Sequence, residues 1–153
     1  MDNVRSVDDG TAGHFVQDLS VGMSASISRT VTDADIVLFS GITGDTNPIH
    51  LNQAYAESTM FKGRIAHGML TGGLISAVLG TKLPGPGAIY IAQNMSFRAP
   101  VRVGDTVTAR VTVAEIFPEK SRIKVITQCY VDDKMVVDGD ALLMVPSRTS
   151  AAA

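Results

Sequence analysis

The chain has 153 residues, 45% of them apolar, 18% charged and 5% aromatic, with a formal net charge of −2. That is the size and balance of one globular domain able to bury its own core without disulfides or a structural metal. The single cysteine, Cys129, excludes an internal disulfide and a cysteine-based zinc site, and 13 Lys+Arg against 15 Asp+Glu with no tryptophan speak against a nucleic-acid surface.

Residues 1–13 lack apolar periodicity and residues 148–153 form a small polar and alanine tail, so both ends are expected to be flexible around one domain spanning 14–147. The polar, acidic start carries no signal-peptide pattern, which points to a cytoplasmic protein. Within residues 15–31, Leu19, Val21, Met23, Ala25 and Ile27 alternate with small polar residues, predicting a strand. Thr32 and Asp35 resemble a capping box; a helix should start near Asp33 and stop at Gly44. Pro48 then favours a turn at Asn47, and a short helical piece follows over 53–60.

Residues 64–83 place Ile65, Met69, Leu70, Leu74, Ile75, Val78 and Leu79 at helical spacing among Gly, Ala, Ser and Thr. A helix without a charged face is expected to be buried all round, and Gly72 and Gly73 suggest that another backbone or a ligand comes close. Interrupted by Thr71, Gly72, Gly73 and Ser76, this stretch is too short and too polar for the roughly 18–20 residues of a membrane span. Four strands are predicted beyond it, over 89–97, 106–113, 122–131 and 135–145. The class is α+β: a sheet curled around one apolar helix covers both the inner face of the strands and the helix.

Three histidines exist, His14, His50 and His67. On a continuous helix Asp45 and His50 would point about 140° apart, but across the proline turn they can converge on one water, as acid–base chemistry near neutral pH requires. Asp45 as a turn cap and His50 as an ordinary half-buried histidine is the plainer alternative. His67 and Gly68 open the apolar helix, where free backbone N–H groups suit a carbonyl oxygen gaining negative charge; alternatively Gly68 is merely tolerated and His67 packs over the first turn. The histidine spacings match no closed zinc site, so no metal is expected. Ser76 lacks a nucleophile-elbow setting, and Cys129 falls in strand alternation as a core residue.

The segment Phe39-Ser40-Gly41-Ile42-Thr43-Gly44-Asp45-Thr46-Asn47-Pro48-Ile49-His50 resembles the hydratase motif of the MaoC-like (R)-specific enoyl-CoA hydratases, of the hotdog fold. Arg64-Ile65-Ala66-His67-Gly68-Met69-Leu70 and Phe97-Arg98-Ala99-Pro100-Val101 extend the likeness over most of the chain. The resemblance implies an antiparallel sheet wrapped around a long central helix. It implies Asp45 and His50 as the catalytic pair, the Gly68 N–H as the thioester-oxygen site, and Asn47, His67, Met69, Ser76 and Leu79 as supporting or pocket-lining residues. Its reaction is reversible addition of water to a short or medium trans-2-enoyl-CoA, giving the (R)-3-hydroxyacyl-CoA, with β-oxidation, polyhydroxyalkanoate supply and a specialised acyl-CoA route all open as its pathway. No cofactor is implied beyond the coenzyme A of the substrate, and the implied assembly is a homodimer. A carrier-protein dehydratase, a hotdog thioesterase and a non-catalytic acyl-CoA binding module are the alternatives. Lys62, Arg64, Lys82, Arg98 and Arg102 are the cations available to coenzyme A phosphates. One departure is Asn52, where the family usually has an acidic residue, expected to affect the loop more than the chemistry.

Overall fold

The computed structural model describes residues 12–148; the remainder of the two expected flexible ends, 1–11 and 149–153, lies outside the described residues. Two residues expected in those ends are tied down. Gly13 lies against the backbone of Pro84, Gly85 and Pro86 so closely that a Cβ would collide with it, and Arg148 pairs with Asp18 at 2.8 Å.

Five strands form one antiparallel sheet: β1 (Ser24–Thr30), β2 (Ile89–Phe97), β3 (Thr106–Phe117), β4 (Arg122–Val131) and β5 (Lys134–Met144), in the order β1-β3-β4-β5-β2. Alternation sets the faces. Val107, Ala109, Val111 and Val113 of β3 and Ile123, Val125, Thr127 and Cys129 of β4 all point inward and are buried. A short 3-10 turn (Val16–Asp18) precedes β1, so the first predicted strand is shorter than its alternating pattern, and β3 runs four residues past its predicted end.

Helix α1 (Asp33–Thr43) begins with the expected capping box: Asp35 N–H donates to Thr32 Oγ1 at 3.2 Å and Thr32 N–H to Asp35 Oδ2 at 2.9 Å. It ends at Gly44, whose φ of 77° is a left-handed conformation that favours glycine. Two short helices follow, α2 (Pro48–Leu51) and α3 (Gln53–Glu57). Asn52 caps α3 by accepting from Tyr55 N–H at 3.0 Å, a loop role that Asn and Asp fill alike.

The central helix α4 (Gly68–Thr81) lies against β3, β1 and β4. Ile75, Val78 and Leu79 are at most 1% exposed there, and each buried side chain of this kind contributes about 1.5–3 kcal/mol. The expected start at 64 is corrected: Ala66 N–H donates to Val101 O at 2.7 Å, which holds the approach to the helix extended. The expectation of burial all round is corrected too. Met69, Gly73, Ser76 and Gly80 form an exposed stripe. Small uncharged residues are therefore not proof of burial within one chain. Gly72 does have a close neighbour, but it is the Met95 side chain, and nothing lies within 4 Å of where a Cβ on Gly73 would sit.

Candidate functional site

The loop between α1 and α2 carries Asp45, and its own peptides hold the carboxylate in place. Thr43 Oγ1 accepts from Asp45 N–H at 3.2 Å, Asp45 Oδ1 accepts from Asn47 N–H at 3.3 Å, and Asn47 Oδ1 accepts from Ile49 N–H at 3.2 Å. Asn47 thus caps α2 while Pro48 supplies its first residue, a position where the missing N–H costs nothing. This succession of side-chain bonds turns the chain so that His50 faces back toward Asp45. Asp45 itself remains exposed.

His50 is buried, and its Nδ1–H donates to Ile65 O at 2.7 Å. That bond fixes the tautomer: Nε2 carries the free lone pair. Arg64 braces the same segment, its Nε donating to His50 O at 2.6 Å while its guanidinium pairs with Asp33 at 2.6 Å. Burial pushes the His50 pKa below its ordinary value of 6.5, and His67 pushes the same way, against the opposing pull of the Ile65 carbonyl and Asp45. The ring is neutral at pH 7.

His67, the residue before α4, is 1% exposed and stacks on His50 with ring centroids 3.8 Å apart. Phe39 covers its other side at 4.7 Å. A backbone carbonyl only accepts, so the 3.0 Å contact from His67 Nε2 to Asp45 O places the proton on Nε2, shared with Ser40 Oγ at 3.1 Å. His67 Nδ1 is left as a buried lone pair without a partner. His67 therefore grips the Asp45 peptide and one face of His50 at once.

Gly68 is the first residue of α4, so its N–H has no partner within the helix. A side chain is excluded there, because a Cβ would stand 2.6 Å from the Phe97 ring. Asp45, His50, His67, Gly68 and Met69 all line one cavity of about 470 Å³, together with Phe97. Ser76 does not join them; it lies further along α4 in a second cavity. Leu79, expected to line the pocket, is 1% exposed in the core instead, because position 79 falls on the sheet-facing side of α4.

Asp45, His50 and His67 offer ligand atoms within 4.8 Å of one another. The two imidazoles are stacked, and His67 Nε2 is committed to Asp45 O. Asp45 and neutral His50 are both acceptors, so a water between them uses both protons and presents its lone pairs to a third group. Of the candidate phosphate partners, Arg64 and Arg102 are committed to peptide carbonyls, Lys82 donates to Ser26 O, and Arg98 is paired with Asp138 while facing the cavity. The bracing role of Arg64 and the part of Ser40 were missed in the sequence. Ser40 lies inside the matched motif, but no residue pattern ties Arg64 to His50.

The model of the MaoC like domain matches residues 16–135. The chain is 56% identical over 135 residues to the (R)-specific enoyl-CoA hydratase of Rhodospirillum rubrum, covering 88% of this chain and 94% of that one. It is 51% identical to the 3-hydroxybutyryl-CoA dehydratase of Methylorubrum extorquens, covering 90% and 87%. Among solved structures, the unliganded R-hydratase PhaJ1 from Pseudomonas aeruginosa superimposes with a TM-score of 0.83 at 43% identity, covering 89% of this chain and 88% of that one. Motif, sheet order and central helix agree with these likenesses, and the chain belongs to the MaoC-like domain family, with the hotdog fold.

Proposed function

We propose that the protein is an (R)-specific enoyl-CoA hydratase, a hydro-lyase that adds water reversibly to trans-2-enoyl-CoA. The observation that carries this reading is the pairing of two acceptors, Asp45 and neutral His50, with the free N–H of Gly68 in one cavity. Similarity to relatives with that activity, at 56% and 43% identity, supports it.

The chemistry follows from the arrangement. The thioester oxygen accepts from Gly68 N–H, where the positive end of α4 favours the enolate charge that develops. The water held by Asp45 and His50 directs a lone pair at C3. As the C3–O bond forms, the π electrons of C2=C3 move toward the carbonyl, and one water proton passes to the Asp45–His50 pair. The enolate then collapses, and C2 takes a proton from the pair. Asp45 and His50 act on that one water as a unit. Every step uses only a water, two side chains and one backbone N–H, so the reading includes no metal and no cofactor other than the substrate's coenzyme A. Both fragments of the water are delivered on one side of the double bond, and the (R) configuration at C3 is supported by the likeness to relatives named for it.

The test is hydration of crotonyl-CoA, with the product offered separately to (R)- and (S)-specific 3-hydroxyacyl-CoA dehydrogenases. Oxidation by the (R) enzyme is expected, and oxidation by the (S) enzyme alone would refute the assignment. Release of free coenzyme A from butyryl-CoA would instead identify a thioesterase.

The proposal also includes a homodimer. The two sheet edges differ: β1 is mostly Ser and Thr, whereas β2 exposes Ile89, Tyr90, Ile91 and Phe97 beside the open stripe of α4. An apolar edge strand is a template for pairing with a second chain. Ile91 sits at a register shift between β2 and β5, so Ile91→Lys should disturb that edge with little damage to the sheet. Sedimentation should show a dimer for the wild type and a shift toward monomer for the variant; a monomeric wild type would refute this part.

A further inference from the structure

Between α3 and α4 the chain runs along a wall of the catalytic cavity, and two guanidiniums hold it there. Arg102 grips the turn at the start of this link: its guanidinium donates to Phe61 O and, through Nη1, to Arg64 O at 3.4 Å. The grip is close. Gly63 is buried inside it, and a Cβ on that residue would stand 3.2 Å from Arg102 Nη1. Arg64 reaches the other way, with Nε on His50 O at 2.6 Å and its guanidinium on Asp33.

Arg102 itself projects from a fixed turn. Its N–H donates to Asp105 Oδ2 at 2.9 Å, Asp105 N–H returns to Arg102 O at 3.1 Å, and the preceding Val101 O accepts from Ala66 N–H. Phe61 N–H and Lys62 N–H both bond back to Thr59, so these bonds close the turn on itself, and Arg102 links Phe61 to the segment that carries Pro100 and Val101. Lys62 holds a φ of 55°, a left-handed conformation uncommon for a residue with a side chain, which an outside anchor helps to keep.

The two arginines act on different parts of the site. Met60 and Phe61 line the cavity, and Met60 is 85% exposed, so the cavity opens to solvent at the turn that Arg102 holds. A wall touches the bound substrate before and during the reaction alike, whereas the direction of the His50 ring matters to the reacting geometry. Resting on the hydratase reading, we infer that Arg64 and Arg102 are positioning residues with separate duties: Arg102 sets the Met60–Phe61 wall against which the thioester binds, and Arg64 sets His50 for proton transfer. A lysine at position 102 would keep the charge but not the rigid fork that spans two carbonyls.

The experiment measures kcat and KM for crotonyl-CoA, and calorimetric binding of butyryl-CoA, which has no double bond to hydrate, in the wild type, Arg102→Ala, Arg102→Lys and Arg64→Ala. Losing a charge-assisted hydrogen bond changes an equilibrium by about tenfold or more. In Arg102→Ala, KM and the butyryl-CoA Kd should therefore both rise about tenfold while kcat stays close to wild type. In Arg64→Ala, kcat should fall about tenfold with the Kd unchanged. Arg102→Lys carries the test where alanine disturbs the turn, and its Kd should stay above that of the wild type. Full recovery in Arg102→Lys would give Arg102 an attraction for the coenzyme A phosphates instead and overturn the inference. Folded variants in which the same constant moves at both positions, or at neither, overturn it too. A wild type that binds butyryl-CoA without hydrating crotonyl-CoA overturns the hydratase reading and leaves the Arg102 binding comparison standing.

Discussion

The two ends of the open side of α4 are built on different physics. At Gly68 the catalytic groups are held by a closed set of hydrogen bonds: His50 to Ile65, His67 to Asp45, Asp45 to Asn47 and Arg64 to His50. Around Gly72 and Ser76 the walls are largely Met69, Met95, Ile91 and Ala92, with Met95 packed on Gly72 and the Tyr90 hydroxyl donating to Gln93. Hydrogen bonds fix direction within a narrow angular range, whereas dispersion contacts depend mainly on distance and tolerate repacking. The first end should therefore answer substitution with a loss of rate, and the second with repacking.

The largest effect tests the first end. Asp45→Asn and His50→Ala should each lower kcat by about 10²–10⁴-fold, the range for losing a positioned acid or base. Because the two act on one water, the double variant should be little worse than either single one. The thermal transition should stay close to wild type in Asp45→Asn, since Asp45 is exposed. Near-normal turnover in either variant would erase the contrast between the two ends.

A smaller loss is expected one step away from the reacting atoms. His67→Phe keeps an aromatic ring between His50 and Phe39 but removes the N–H that holds the Asp45 carbonyl. A hydrogen bond of this kind contributes about 0.5–1.5 kcal/mol, so kcat should drop by up to about tenfold with KM nearly unchanged. A loss equal to that of His50→Ala would mean that His67 itself handles the proton.

The same contrast explains what was legible in the sequence. Capping signals are local, so the Thr32–Asp35 box, the stop at Gly44 and the turn at Asn47-Pro48 could be read from adjacent residues, and they place Asp45 opposite His50. Strand alternation likewise gave β4 its full extent. The clamp of Arg64 on His50 joins residues 14 positions apart through a backbone carbonyl, which any residue type could supply. No side-chain pattern records it. Leu79 was misplaced for a related reason: a helix of small and apolar residues has no polar face to mark which side meets the sheet, and only the packing against β3 and β4 decides it.

The finest distinction lies in the acid limb of the pH profile. His50 can accept a proton only while neutral, and burial, its largest perturbation, holds its pKa below 6.5. Activity should therefore be constant from neutral pH down past 6.5 and fall only as the pH drops through the lowered value. An unburied histidine would already lose activity near 6.5. His67 contributes to the lowering as the lesser, electrostatic cause. Replacing it with phenylalanine should move the acid limb of kcat/KM upward, toward but not reaching 6.5, because the burial remains. A profile of kcat/KM against pH for the two proteins measures this directly. An unmoved limb would assign the whole depression to burial and leave His67 only its grip on the Asp45 peptide; a limb that reached 6.5 would show that the stacked ring, more than the dry pocket, keeps His50 unprotonated.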